Sequence, residues 1–180
     1  MDEIKRESRQ LKYTGTILKV YTDHMIMPDG RTADWDFIEH KGAAAVVPVT
    51  DDGKILMVRQ YRNALERYTL EIPAGALNYV GEPKDVCAAR ELEEETGYKA
   101  GRLEWLMNLN TTVAFCNELI GIYIASDLTK TQQHLDDDEY INVEPHDLSE
   151  LLDMVYAGRI TDSKTVASLM AYKVKTERGA

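Results

Sequence analysis

The chain has 180 residues, of which 44% are hydrophobic, and its 31 acidic against 21 basic residues give a formal net charge of −10. This length and composition predict a single domain that can bury its own core, and the acidity argues against a nucleic-acid partner, which requires a basic face. Cys87 and Cys116 are too few and too isolated for a disulfide framework or a zinc site, so a reduced, cytoplasmic setting is expected. No stretch approaches the ~20 apolar residues of a membrane span, and the charged residues 1–10 do not resemble a signal peptide.

The first half of the chain is predicted to be rich in β-structure. Runs of β-branched and aromatic residues are separated by turn signals such as Pro28-Asp29-Gly30 and Asp51-Asp52-Gly53. The predicted strands span residues 12–27, 35–40, 43–49, 54–60 and 68–70. Residues 1–41 are therefore expected to form an antiparallel β-arm, and residues 42–180 the main domain.

The second half is predicted to mix helices and strands. Pro83 opens a helix that Gly97 closes. Its predicted inner face consists of Val86, Ala89 and Leu92, with Cys87 as a further candidate. Strands are predicted at residues 103–109 and 119–125, and helices at residues 148–157 and from the N-cap Asp162 to about residue 175. This order predicts an α+β fold or an α/β/α sandwich.

The negative charge is concentrated in two segments. Residues 82–95 sum to −4 and residues 134–150 sum to −7, whereas the rest of the chain sums to +1. A run of charge is most often a solvated face. Two acidic clusters in an otherwise balanced domain also favour a metal site, because hard cations bind carboxylate oxygens.

Three glutamates of the first acidic segment share one helix face. Glu91, Glu94 and Glu95 stand at i, i+3 and i+4, which is predicted to be the face opposite the apolar stripe. Like charges at this spacing destabilise a helix. An acidic solvated surface and a site for a cation such as Mg²⁺ both account for them.

The residues around this helix resemble a known family. Gly75, six residues, Glu82, seven residues and then Arg-Glu-Leu-Glu-Glu-Glu-Thr-Gly-Tyr at 90–98 resemble the signature of the Nudix hydrolases, with one extra residue between Gly75 and Glu82. Five further segments resemble the ADP-ribose pyrophosphatase branch, namely residues 40–49, 58–62, 71–75, 138–141 and 158–165. With them, the resemblance covers about residues 11–172. The resemblance implies a Nudix fold with an N-terminal antiparallel β-sheet arm. It also implies a pyrophosphohydrolase that splits ADP-ribose, or a related nucleoside diphosphate sugar, into a nucleoside monophosphate and a sugar phosphate.

The resemblance also implies roles for individual residues. The metal, Mg²⁺ or alternatively Mn²⁺, is expected to be held by the Ala74 carbonyl and the carboxylates of Glu91, Glu94 and Glu95. The catalytic candidates are Glu139 as general base, together with Glu94 and with Arg90 as the partner of a glutamate. For the adjacent Asp136 to Asp138, a solvated acidic loop is an equally good interpretation. The substrate-binding candidates are Trp35, Arg59, Arg62, Phe115 and Glu118.

Several of these assignments have alternatives. For one of the two arginines, Arg59 or Arg62, a surface ion pair is as good an explanation as a phosphate contact. Trp35 is either a core residue or a stacking partner for the base. The resemblance to this branch also implies a homodimer in which residues 1–41 are the dimerisation element, so Trp35 is expected to act in the site of the partner subunit.

One segment departs from the pattern of the branch. Val113 and Ala114 stand where a Ser-Pro-Gly-Phe-like segment has Pro and Gly, so this loop is expected to follow a different path. The alternative substrates are therefore another nucleotide sugar, such as GDP-mannose, or a dinucleotide. A non-catalytic sensor of nucleotide sugars is the other alternative, disfavoured by the intact acidic residues.

Overall fold

The computed structural model describes residues 3–135 and 139–179. Within these residues there are ten strands and three α-helices. In chain order they are β1 Lys5–Thr14, β2 Lys19–Ile26, β3 Thr32–Glu39, β4 Ala43–Pro48, β5 Ile55–Arg62, β6 Arg67–Glu71, β7 Ala74–Ala76, α1 Lys84–Thr96, β8 Tyr98–Asn110, β9 Leu119–Lys130, β10 Asn142–His146, α2 Leu148–Tyr156 and α3 Ser163–Glu177. No helix in this described part is long and apolar enough to cross a membrane.

The N-terminal arm is a three-stranded antiparallel sheet in the order β1-β2-β3. The single strand predicted at residues 12–27 is wrong, because the chain reverses near Gly15 and the segment divides between β1 and β2. Arg9 links the three strands: its guanidinium donates to both carboxylate oxygens of Asp23 at 2.6 and 2.7 Å and lies 3.6 Å from the ring centre of Phe37. This ion pair and cation–π contact stabilise a sheet that has few buried residues.

The central sheet has the order β7-β4-β9-β8, with β4 and β9 parallel and the other neighbours antiparallel. Successive residues of a strand point to opposite faces. Ala44 and Val46 of β4 accordingly pack in the core on the α1 side, whereas Ala43, Ala45 and Val47 pack in the core of β5, β6, α2 and α3. The second sheet has the order β10-β5-β6. The predicted mixed sandwich with an N-terminal arm is confirmed.

Two strands of the central sheet exceed their predicted bounds, and the short strands β7 and β10 were missed. β8 and β9 continue as a hairpin from Asn110 paired with Leu119 to Tyr98 paired with Lys130, because pairing, rather than apolar content, sustains their polar ends. β10 contains Pro145, which is tolerated because this strand lies at the edge of its sheet.

Helix α1 has the predicted limits, and its predicted inner face is correct for Leu92 and Cys87 but wrong for Val86 and Ala89. It follows Pro83 and ends at Gly97, whose φ of 70° is the left-handed conformation typical of a C-cap. Val86 is 54% exposed and Ala89 is also exposed. The side that packs on the sheet instead carries Cys87, Ala88 and Leu92, together with Glu91 and Glu95. The two glutamates therefore belong to the buried face, and their placement opposite the apolar stripe was wrong.

Candidate active site

Glu91 is held against the backbone of strand β7. A Cβ atom added at Gly75 would lie 2.1 Å from both the carboxyl carbon and one oxygen of Glu91. That separation is far below van der Waals contact, so the Glu91 carboxylate occupies space that any residue other than glycine would fill. The sequence spacing from Gly75 to the helix thus has a direct steric cause.

Glu95 binds the same stretch of backbone one turn further along α1. Its Oε2 accepts a hydrogen bond from the Ala74 amide at 3.0 Å. Burial is the main cause that raises the pKa of Glu95 to about 8 and that of Glu91 to about 7. The charge of Glu139 adds to both increases, so the structure brings this residue near the two helix carboxylates. Asp136 to Asp138 lie outside the described residues.

Arg90 forms hydrogen bonds with the glutamates of its own helix. Its Nη1 donates to Glu91 at 2.6 Å and to Glu94 at 2.8 Å, and its Nη2 donates to the Ala76 carbonyl at 3.2 Å. Nearby Glu82 is buried and accepts from the Asn78 amide at 2.6 Å, so the one-residue insertion leaves this side chain in the cluster. Burial and the surrounding carboxylates have opposing effects on the pKa of Arg90, and the net result is a raised value.

Glu94 lies on the more open side of α1. With Arg90, Glu93, Lys99 and His134 it lines a hollow on the outer side of the helix. Its predicted roles as metal ligand and as catalytic residue, and the catalytic role of Arg90, stay predictions.

The donors around β7 suit a hard cation. No three His, Cys, Asp or Glu side chains form a complete ligand set among residues 3–135 and 139–179. Mg²⁺ typically takes only one or two carboxylates, with waters and substrate phosphates completing its octahedron. Glu91 and Glu95, anchored on the Ala74–Gly75 backbone, fit that incomplete oxygen set, and a cation there would offset the repulsion between their charges. The Ala74 carbonyl as a further ligand stays a prediction.

A cavity of about 350 Å³ adjoins this cluster. Its wall consists of residues from β4, β5, β7 and β9, the start of α3 and the segments that precede β4 and β9. They are His40, Ala43, Arg62, Ala74, Gly75, Ala76, Thr111, Thr112, Glu118, Ile120, Asp162, Ser163 and Lys164. The backbone of residues 74–76 thus faces both the cavity and the carboxylates of α1. A ligand in the cavity would lie next to any cation bound there.

The structure separates the two arginine candidates. Arg62 lines the cavity and donates through Nε and Nη2 to both oxygens of buried Glu71, at 2.8 and 2.7 Å. Arg59 instead pairs with both oxygens of Glu144, at 2.5 and 2.9 Å, and does not line the cavity. The geometry therefore favours Arg62 as the phosphate contact and an ion pair for Arg59.

The other substrate-binding candidates are divided in the same way. Glu118 lines the cavity, where it accepts from the Thr111 hydroxyl at 2.6 Å and lies 3.4 Å from Nδ1 of His40. Phe115 and Trp35 are 46% and 45% exposed and lie outside the cavity wall, so Trp35 is not a core residue within this protomer. Its role, and that of Phe115, stay predictions.

Sequence reasoning missed six polar residues of the cavity wall: His40, Thr111, Thr112, Asp162, Ser163 and Lys164. His40 and Thr111 accompany Glu118, and Asp162 and Lys164 accompany Arg62. The only sequence signal was that His40 and the segment 158–165 fall within the stretches that resemble the ADP-ribose pyrophosphatase branch. Their roles depend on contacts such as that between Lys164 and Glu71, which are 93 residues apart.

The comparisons with known proteins agree with this geometry. The NUDIX domain model matches residues 39–169. The chain is 41% identical over 159 residues to a methanol dehydrogenase activator of Bacillus methanolicus, and the match covers 87% of this chain and 85% of that protein. It is 35% identical over 175 residues to an ADP-ribose pyrophosphatase of Bacillus subtilis, with 96% and 94% covered.

A solved structure shows the same fold. The crystal structure of an ADP compounds hydrolase superposes with a TM-score of 0.86 at 21% identity, and the match covers 98% of this chain and 96% of that one. The chain therefore belongs to the Nudix family, and the predictions of a Nudix fold and of a Nudix hydrolase are confirmed.

Proposed function

We propose that this protein is a Mg²⁺-dependent pyrophosphohydrolase that cleaves ADP-ribose, or a closely related nucleoside diphosphate sugar, into a nucleoside monophosphate and a sugar phosphate. The observation that carries the proposal is the anchoring of Glu91 and Glu95 on the Ala74–Gly75 backbone, at the wall of a cavity that also contains Arg62. The name of the Bacillus subtilis relative supports ADP-ribose as the first substrate to test.

The carboxylates of α1 and the backbone of β7 divide the chemistry between them. Glu91, Glu95 and the Ala74 carbonyl would hold the cation, with Glu94 at the outer side of the helix. A bound divalent cation would neutralise charge on the diphosphate and lower the pKa of an attacking water. Arg90 fixes the rotamers of Glu91 and Glu94 through its two short hydrogen bonds, and thus keeps the oxygen donors oriented.

Glu139 is the proposed general base. A carboxylate that is close to the metal-binding residues can accept a proton from the attacking water. Glu139 is half-buried and close enough to Glu91 and Glu95 to raise the pKa of both. These two facts support a position facing the reaction centre.

The cavity wall offers two groups for the substrate. Arg62 presents a positive charge to a phosphate. Glu118, oriented by Thr111 and close to His40, presents carboxylate oxygens that accept hydrogen bonds from sugar hydroxyls. A diphosphate with a sugar on one side fits this pairing of a cation with a hydroxyl acceptor.

The arm of residues 1–41 is proposed to form the interface of a homodimer. Large apolar and aromatic side chains of the arm that are at least 45% exposed include Ile4, Leu11, Tyr13, Ile17 and Trp35. Exposed apolar residues concentrated on one sheet favour association. Trp35 would then stack on the substrate base in the partner subunit's cavity.

A substrate panel tests the proposed reaction. Purified protein with Mg²⁺ is assayed on ADP-ribose, GDP-mannose and a dinucleotide, the products are identified, and kcat/KM is compared. We expect AMP and ribose 5-phosphate from ADP-ribose, with the highest kcat/KM. The alternative of another nucleotide sugar rests on Val113, which is strongly exposed in the altered loop, and it would be favoured by a higher kcat/KM on GDP-mannose. Absence of cleavage on the whole panel would refute the proposal.

A further inference from the structure

Four charged side chains link helix α3 to strands β5 and β6 beside the cavity. Buried Glu71 accepts two hydrogen bonds from the Arg62 guanidinium and one from the ammonium group of Lys164. Lys164 is also buried, and donates a second hydrogen bond to Asp162 at 3.0 Å. The two cations and two anions balance, as burial of charge requires.

Each carboxylate oxygen of Glu71 is fixed by two donors. Oε1 accepts from Nε of Arg62 and from the Thr69 hydroxyl at 2.6 Å. Oε2 accepts from Nη2 of Arg62 and from Lys164. The Glu71 carboxylate therefore cannot rotate without breaking a contact on each side, and its pKa falls to about 2 because the hydrogen bond of Arg62 and the charge of Lys164 outweigh the effect of burial.

Lys164 is in turn fixed by the start of α3. Its partner Asp162 is the N-cap of the helix, where one oxygen also accepts from the Thr165 amide at 3.0 Å and from the Thr165 hydroxyl at 2.6 Å. That hydroxyl accepts from the Ile72 amide, next to Glu71, at 3.0 Å. The ammonium group is thus held in place at the cavity wall by helix and strand together.

The orientation of Arg62 follows from this network. A guanidinium is planar, so fixing its Nε and Nη2 edge on Glu71 also fixes the direction of Nη1, which the contacts to Glu71 do not use. Arg62 lines the cavity and is close enough to Glu95 and Asp162 to feel their charges. The edge that Glu71 leaves available is therefore preorganised at the wall of the cavity, which adjoins the proposed metal ligands.

We propose that Lys164 is a positioning residue that locks Glu71, and through Glu71 orients Arg62 to bind a phosphate of the nucleoside diphosphate. The proposal rests on the proposed function, since it assumes a diphosphate in the cavity.

A double-mutant cycle tests this role. The variants are Lys164→Met, Arg62→Met and the double variant, with Lys173→Met as control because Lys173 lies on the same helix and pairs only with Glu177 among the described ion pairs. For each variant, KM and kcat are measured with ADP-ribose and Mg²⁺, and the Kd of ADP is measured by calorimetry. We expect Lys164→Met to raise KM and Kd about tenfold with a smaller change in kcat. In the Arg62→Met background, Lys164→Met should change them less than twofold.

Two results would overturn the proposal. An equal loss of affinity with and without Arg62 would show that Lys164 binds the substrate directly. A lower melting temperature with unchanged KM would show a purely structural role. Should Lys164→Met not fold, Thr69→Val removes the hydroxyl hydrogen bond to Glu71 without a change of charge. This variant should also raise KM. An unchanged KM in Thr69→Val would overturn the proposal.

Measurements on the wild-type protein distinguish a failure of the positioning role from a failure of the proposed function. Wild-type cleavage of ADP-ribose with unaffected variants would contradict only the positioning role. A wild-type protein that neither cleaves ADP-ribose nor binds ADP would contradict the proposed function, and the positioning role with it.

Discussion

The contact between Gly75 and Glu91 makes a quantitative prediction about Gly75→Ala. The added Cβ would lie 2.1 Å from the carboxyl carbon of Glu91, whereas ordinary contact begins near 3.4 Å, so the carboxylate must move by more than about 1 Å. Mg²⁺ tolerates little deviation from ligand distances of about 2.0–2.1 Å. A displacement of that size at a reaction centre costs about 100-fold in rate.

The same substitution should have little effect on folding. The atoms that must move are the end of a flexible side chain, and an off-rotamer Glu91 costs about 1 kcal/mol. We therefore expect kcat/KM for ADP-ribose to fall about 100-fold and the Mg²⁺ concentration for half-maximal rate to rise, while the free energy of unfolding in urea changes by no more than about 1 kcal/mol.

Two controls give the experiment its resolution. Gly15→Ala is the matched substitution in the arm, where the added Cβ meets the exposed Tyr13 ring at 3.0 Å, and it should retain full activity. In Gly75→Ala/Glu91→Asp the shorter side chain relieves the clash, so the double variant should be no worse than Glu91→Asp alone. Wild-type activity and an unchanged Mg²⁺ dependence in Gly75→Ala would refute the steric argument.

Three further predictions follow from the charges and burial of single residues. Glu139→Gln should lower kcat in steady-state assays far more than it changes KM, and an effect on KM alone would identify Glu139 as a binder. Glu71 has a pKa of about 2 in the folded protein, below its ordinary value of 4.5. Its ionised form therefore contributes about 3 kcal/mol to the free energy of unfolding above pH 4.5, and this contribution is lost as the pH falls toward 2. Urea unfolding should therefore show a stability difference between wild type and Glu71→Gln that narrows from pH 6 to pH 2.5, and a constant difference would contradict the pKa. Burial raises the pKa of the Cys87 thiol to about 11, so in Cys116→Ala the remaining thiol should react slowly with a thiol reagent at pH 8 until the protein is unfolded, and immediate reaction would contradict its burial.

The sequence predicted the limits of α1 because Pro83 and Gly97 act locally. It predicted the buried positions of Leu92 and Cys87 but placed the glutamates outside the inner face, because the usual rule places glutamates in solvent. Glu91 and Glu95 are instead buried against residues 74–75. Functional residues are where local rules are expected to fail.

The remaining errors also come from information that is not local. β1 consists almost entirely of exposed side chains and is held by pairing with β2, so it lacks the apolar alternation by which strands are predicted. The ion pair that occupies Arg59 requires Glu144, 85 residues away, just as the setting of Arg62 requires Lys164. A single sequence does not specify which of many acidic residues becomes the ion-pair partner of a given arginine or lysine.

The most direct test of the central claim compares two substitutions on one helix. Wild type, Glu91→Gln and Glu93→Gln are incubated with ADP-ribose and Mg²⁺, and AMP and ribose 5-phosphate are quantified. Glu93 pairs with Lys99 at 3.2 Å and faces away from residue 75, so Glu93→Gln should produce both products at the wild-type rate, whereas Glu91→Gln should fold normally and produce neither. Near-normal product formation by Glu91→Gln would contradict the assignment of the metal site and, with it, the proposed mechanism.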